Sequence, residues 1–154
     1  YWGALLRAGV DGARLRERLL EFDQRFPEPP LFRALLAKLL ATSSEPEVVD
    51  VEFAEEIATA LQAASSNPLH TELLALVHAA AGEFERAQAL QEDLIEMAQT
   101  IGAWMLVGSL ERTAEAYRAD RLPEPLWPVY DPLLTPAPPD PGSAMRNYPA
   151  GQPY

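Results

Sequence analysis

Apolar residues in the first 121 positions recur at intervals of three and four. Such intervals place side chains on one face of an α-helix, and no segment shows the strict apolar–polar alternation of a half-buried strand. Asp11-Gly12, Asn67-Pro68 and Gly82 fall between the apolar stripes, as helix boundaries do, and Asp50 is predicted to cap a helix. The pattern therefore predicts an all-α fold whose short connections make neighbouring helices antiparallel.

Proline divides the chain into two regions. Ten of the 15 prolines lie in residues 122–154. Proline lacks a backbone N–H and breaks helix interiors. We therefore expect residues 1–121 to form a helical domain and residues 122–154 to form an extended tail, partly polyproline II.

The tail differs from a generic linker because it carries large apolar side chains. Preformed polyproline II loses little entropy on binding, and aromatic residues supply contact area. The predicted partner-binding residues of the tail are Trp127, Tyr130, Leu133, Leu134, Tyr148 and Tyr154. Residues 125–134 fit either packing back on the helices or reaching a partner, and residues 143–154 fit partner contact or disorder. Outside the tail, Trp2 and Trp104 are candidates for core or interface positions.

Negative charge is concentrated in the middle of the chain. Residues 45–97 contain 12 acidic residues and one basic residue, so this segment alone accounts for the net charge of −11. It is interpreted either as a solvated face that maintains solubility or as a docking face for a basic protein surface, with Glu55 and Glu56 as candidate contacts. The acidic balance argues against nucleic-acid binding, and no apolar run approaches the ~20 residues that span a bilayer.

Residues suited to catalysis or cofactor binding are few. Cysteine is absent, and the two histidines, His70 and His78, are eight positions apart, whereas a helical zinc pair is four apart. We expect His70 to lie on the surface and His78 to be partly buried between helices. Carboxylates on a surface helix lack the cleft that acid–base catalysis needs. The sequence therefore predicts no catalytic residue, no cofactor and no metal ion.

An internal repeat is visible in the helical region. Pro30, Leu35 and Leu36 match Pro68, Leu73 and Leu74 at an offset of 38, and the helices that follow match at an offset of 33. A two-helix repeat with a period in the thirties indicates an α-solenoid, whose units must stack to bury their apolar faces.

Residues 67–98 resemble the tetratricopeptide-repeat (TPR) family. The resemblance is carried by Leu74-Ala75 in the first helix and by Gly82, Phe84 and Ala87 across the turn. It implies small residues where helices approach closely, a left-handed glycine at the helix end and an aromatic side chain between the helices. Extended over the chain, it implies about two and a half bacterial-type repeats and a C-terminal capping helix at residues 103–119.

The repeat array and the tail together predict a non-enzymatic scaffold or accessory subunit that docks on a larger protein complex. One alternative is a peptide-binding adaptor, for which Arg33, Lys38 and Asn67 are the available clamp residues. Another is a regulatory fragment of a larger enzyme, since the chain begins at Tyr1 and we expect a longer array upstream. Abundant alanine, leucine and arginine with a single lysine favour a bacterial source. Self-association and the compartment, cytoplasm or periplasm, stay open.

Overall fold

A computed structural model describes residues 11–28, 30–128 and 133 of the chain. Within these residues the secondary structure consists of six α-helices and no strand. They are α1 (Gly12–Arg25), α2 (Leu31–Thr42), α3 (Val51–Ala64), α4 (Pro68–Ala80), α5 (Phe84–Thr100) and α6 (Trp104–Arg118). The prediction of an all-α fold is confirmed.

Polar side chains begin three of the helices. The Asp50 carboxylate accepts a hydrogen bond from the Phe53 N–H at 3.1 Å, which confirms the predicted cap of α3. Asn67 accepts from the Leu69 N–H at 3.0 Å, with Pro68 in the first turn of α4. Asp11 accepts from the Arg14 N–H at 3.2 Å at the start of α1. Each side chain satisfies a backbone donor that the helix leaves without an internal acceptor.

Helices α2 and α4 form the interior of the structure. Each helix packs against the next along the chain, and α2 also contacts α4. Residues 34–41 of α2 and residues 73–79 of α4 are all buried. Leu36, Leu40 and Val77 are among the largest fully buried side chains. A helix that is buried on all sides must be covered by several elements, so α2 and α4 are the central helices of the described structure.

The repeat-defining residues lie at the junction of α4 and α5. Ala75 and Ala87 are completely buried, and Leu74 belongs to the main core. Phe84 is half-buried against a second cluster that contains Ala75, Ala87 and Tyr117. The small side chains of Ala75 and Ala87 let the helices approach closely, and the Phe84 ring covers the edge of the cluster.

The loop between α2 and α3 is held against α1. The Gly12 N–H donates to both carboxylate oxygens of Glu45, at 2.9 and 3.0 Å. A carboxylate is favourable at a helix N-terminus because the helix dipole is positive there. A Cβ atom on Gly12 would lie 3.0 Å from a Glu45 oxygen, so the carboxylate would have to shift by a few tenths of an ångström to accept one. The loop between Thr42 and Val51 thus connects the first helix to the core.

Gly82 and Gly108 provide a matched pair for testing the turn between α4 and α5. Gly82 has a φ of +83° and Gly108 lies inside α6, and a Cβ atom at either position would have no neighbour within 4 Å. We expect Gly82→Ala to lower the free energy of unfolding by about 1–2 kcal/mol, because only backbone strain is added. Gly108→Ala should raise it by about 0.5–1 kcal/mol. Urea denaturation of both variants measures these changes, and a stabilising Gly82→Ala would exclude a left-handed turn.

Candidate functional site

A large groove with mostly apolar walls runs beside α4 and α6. Its volume is about 740 Å³, within the range of ligand and peptide-anchor pockets. Aliphatic side chains of α4, α5 and α6 form most of its wall. They are Leu69, Leu73, Leu76, Leu94, Met97, Leu106 and Leu110. Lys38, Glu72 and Arg112 add charged groups at its sides. The groove can therefore accept an apolar segment and contact polar groups at its edges.

Residues 122–128, which we call the strap, form one wall of this groove. Leu122 packs against the second cluster beside Tyr117, and Trp127 packs against the main core. The Lys38 Nζ atom lies 4.5 Å from the centroid of the Trp127 ring, a cation–π contact. The strap thus connects the end of α6 with α2.

The partner-binding residues predicted in the tail divide into two groups. Trp127 and Leu133 are half-buried against the core, so the described part of residues 125–134 packs back on the helices. Tyr130, Leu134, Tyr148 and Tyr154 lie outside the described residues. The side chains of Trp127 and Leu133 therefore contact the core of the same chain.

Removing the Trp127 ring should loosen the strap. A cation–π contact is worth about 0.5–2 kcal/mol, so Trp127→Ala should raise the population of the detached strap roughly 2- to 30-fold. Trypsin can report this opening because Arg121 is exposed directly before the strap. We expect faster cleavage after Arg121 in Trp127→Ala than in Trp104→Ala, which removes an exposed indole elsewhere. Equal cleavage rates in the two variants would show that Trp127 does not hold the strap.

Five of the eight large apolar side chains that are exposed among the described residues lie at the end of α5, in the turn after it and at the start of α6. Their exposed fractions are Met97 42%, Ile101 71%, Trp104 68%, Met105 97% and Leu106 58%. We call these five residues the apolar patch. Met97, Ile101 and Leu106 also line the groove, so the patch is continuous with it. Trp104 occupies a surface position, which excludes the core alternative, and Trp2 lies outside the described residues.

Sequence reasoning did not find the other four members of the patch. The signal is the run Ile-Gly-Ala-Trp-Met-Leu-Val at residues 101–107, which continues across a turn without a charged or polar side chain. Several consecutive exposed apolar residues are unusual on a surface without a binding role. Such a run crossing a helix start is a signal for an interface.

Acidic side chains line a second depression, which shares Arg112 and Glu115 with the groove. This shallow depression between α5 and α6 is lined by Glu92, Glu96, Glu111 and Glu115 together with Arg112 and Arg118. Arg118 and Glu92 form an exposed ion pair at 3.3 Å. Four acids against two arginines leave the depression with an excess of negative charge. The predicted contacts Glu55 and Glu56 lie on α3, where Glu56 is exposed and Glu55 is half-buried.

Glu55 belongs to an acid–histidine cluster with His78 and Glu83. The His78 Nδ1 atom lies 2.9 Å from Glu83 Oε2 and 3.8 Å from Glu55 Oε1. Arg86 Nη1 donates to the same Glu83 oxygen at 2.9 Å. The hydrogen bond from Arg86, with smaller contributions from His78, holds the pKa of Glu83 below its ordinary value. The expected position of His78 between helices is confirmed, since it is buried.

His70 is buried, so its expected surface position is wrong. Its exposed fraction is 7%, and Nδ1 lies 3.1 Å from the carbonyl oxygen of Leu61. Leu61 lies in the last turn of α3, where carbonyl groups lack N–H donors within the helix. As an Nδ1–H tautomer, His70 donates to that carbonyl and joins α4 to α3.

Comparisons of the chain with family models, curated proteins and solved structures find no match. Among the helices of residues 11–28 and 30–128, none has the length and apolar character needed to cross a membrane. Function is therefore inferred from the groove, the apolar patch and their charges.

Proposed function

We propose that this chain is a non-enzymatic scaffold or accessory subunit that binds another protein through the apolar patch. The continuity of the exposed patch with the groove is the observation that carries this proposal. Large exposed apolar areas are uncommon on monomeric proteins and mark interaction sites. Trp104 and the two methionines belong to the residue types enriched at the centres of protein interfaces.

A stack of antiparallel helical hairpins of TPR type is the proposed architecture. The packing of each helix against the next, with α2 also against α4, is what a stack of hairpins requires, because first helices of successive repeats adjoin. The positive φ of Gly82 and the packing of Phe84 support the resemblance to the TPR family. In this architecture α6 is the terminal helix, and its exposed start is available to a partner.

The charge around the patch favours a basic partner segment with an apolar face. The depression that adjoins the groove carries an excess of acids, and the whole chain has a net charge of −11. A second copy of the chain would bring the same negative charge, which opposes close approach. Lysine or arginine side chains flanking apolar anchors complement both surfaces and increase the association rate at low salt.

The proposal of a non-enzymatic role is supported by the chemistry of the groove. Its walls are mainly aliphatic, and Tyr117 lies at its base with an exposed fraction of 1%. Burial raises the pKa of the Tyr117 hydroxyl far above its ordinary value, so this group stays protonated at neutral pH. It therefore cannot act as a base there.

A carboxylate-clamping peptide adaptor is disfavoured by the contacts of the three candidate clamp residues. Arg33 pairs with Asp23 at 3.1 Å, Asn67 caps α4, and Lys38 lies over the Trp127 ring. A peptide carboxylate would have to replace these contacts. The patch offers its apolar groups without such a cost.

Photo-cross-linking at the patch tests the proposed function. Benzoylphenylalanine at Met105 should cross-link to one polypeptide in native extract, and high salt should weaken the band because basic residues contribute. The same group at Gln62, an exposed position on α3, is the matched control. No product at position 105, or identical products at both positions, would contradict binding through the patch.

A further inference from the structure

We propose that Glu55, His78 and Glu83 form a binding site for a divalent transition-metal ion such as Zn²⁺. The three residues come from α3, from the end of α4 and from the turn before α5. Their candidate ligand atoms all lie within 4.8 Å of one another. This site lies apart from the apolar patch and does not depend on the proposed scaffold function.

The distances fit a metal ion with small side-chain adjustments. Zinc binds imidazole nitrogen and carboxylate oxygen at about 2.0–2.2 Å, so ligand atoms of one ion lie roughly 3–4 Å apart. His78 Nδ1 is 2.9 Å from Glu83 Oε2 and 3.8 Å from Glu55 Oε1. An ion among these three atoms would replace the proton that His78 shares with Glu83.

Burial differs among the ligands in a way that suits a metal site. The His78 side chain is only 11% exposed, so the surrounding helices fix the position of its ring. The Glu55 and Glu83 side chains are each 41% exposed, so they can rotate toward an ion and leave room for water. A fixed nitrogen ligand with two adjustable carboxylates can be completed to four-coordinate geometry by one water molecule.

The charges and the ligand types select the class of cation. Two ionised carboxylates with the Arg86 guanidinium beside Glu83 leave a net charge of −1 around a neutral imidazole. This charge attracts a cation, and Arg86 orients the Glu83 carboxylate as an outer-shell partner does. Imidazole favours zinc, copper and nickel over calcium and magnesium, which prefer sites made of oxygen only.

The spacing of histidines along one helix cannot reveal this site. His70 and His78 are on the same helix but have different surroundings, because the Nδ1 atom of His70 is hydrogen-bonded to the Leu61 carbonyl oxygen. The cluster exists because helix packing brings Glu55 of α3 beside His78 and the turn brings Glu83 back toward it. A bound ion would link α3, α4 and the start of α5, and would stabilise the folded state in proportion to its concentration.

Calorimetric titration of the whole chain with ZnCl₂ tests this proposal. We expect one saturable site, and a loss of affinity of at least about tenfold in His78→Gln and in Glu55→Gln. The matched controls are His70→Gln and Glu56→Gln, which remove the same groups at positions outside the cluster and should keep the affinity. Titration with Co²⁺ should give a visible absorption band that the His78→Gln variant lacks.

The Glu55→Gln and Glu56→Gln pair keeps the test valid if a histidine variant unfolds, because both glutamates are at least partly exposed on α3. Circular dichroism before titration verifies folding of every variant. Absence of saturable zinc binding would overturn the proposal. Unchanged affinity in Glu55→Gln and His78→Gln would also overturn it, since the binding would then arise from other surface carboxylates.

Discussion

Replacing Tyr117 by alanine is expected to lower the free energy of unfolding by about 3–5 kcal/mol, the range for removing a large buried aromatic ring. Tyr117 is 1% exposed and packs against Ala75, Ala79 and Ala87. The alanine side chains are too small to fill the space left by the ring, so a cavity would remain between them and the larger neighbours Phe84, Leu90 and Leu122. For a chain of this size such a loss is a large part of the total stability.

Thermal and urea unfolding of Tyr117→Ala measure this effect, and Met105→Ala is its control. Met105 is 97% exposed, so its truncation removes a large apolar side chain without opening a cavity. We expect a change within about 0.5 kcal/mol for the control. Similar losses in the two variants would mean that Tyr117 is not the centre of the α4–α5–α6 junction.

The helices could be predicted from the sequence because their apolar intervals and their boundary residues agree. Leu15, Leu19, Phe22 and Phe26 form the first apolar stripe, at steps of four, three and four. Leu15 and Leu19 are buried, and Asp50 caps α3 as expected. Phe26, assigned to the same stripe, is 48% exposed because α1 ends at Arg25 and the ring lies beyond the helical face. Periodicity identifies a helix and its apolar face. It does not show at which residue the helix ends and the neighbouring helices no longer cover that face.

The candidate sites could be predicted only in part, because they depend on which surfaces the packing leaves open. The tail sequence allowed Trp127 either to pack inward or to bind a partner, and its contact with Lys38 of α2 could not be read from the sequence. Met105 and Leu106 have the apolar character of core residues, and only the packing of α6 shows that they face outward. The contact of His78 with Glu55 joins residues from different helices, which no local pattern contains.

Introducing a charge into the apolar patch should remove partner binding without affecting the fold. We expect Met105→Glu to weaken binding of the cross-linked partner at least about 30-fold, since centrally placed interface residues can each contribute about 2 kcal/mol or more. The new carboxylate would lose its hydration against the apolar anchors of the partner, and this cost would exceed its attraction to the flanking basic residues. Trp104→Ala, which removes an exposed ring, should weaken binding by roughly tenfold or more.

Gln62→Glu separates a local effect of the patch from a general effect of charge. It adds the same carboxylate on the exposed side of α3, so it changes the net charge by the same amount as Met105→Glu. Binding measured by biolayer interferometry at low and high salt should be nearly unchanged in Gln62→Glu, apart from a modest change in association rate. If both variants change the affinity to the same extent, the partner responds to the overall charge of the chain, and the apolar patch is not its contact surface.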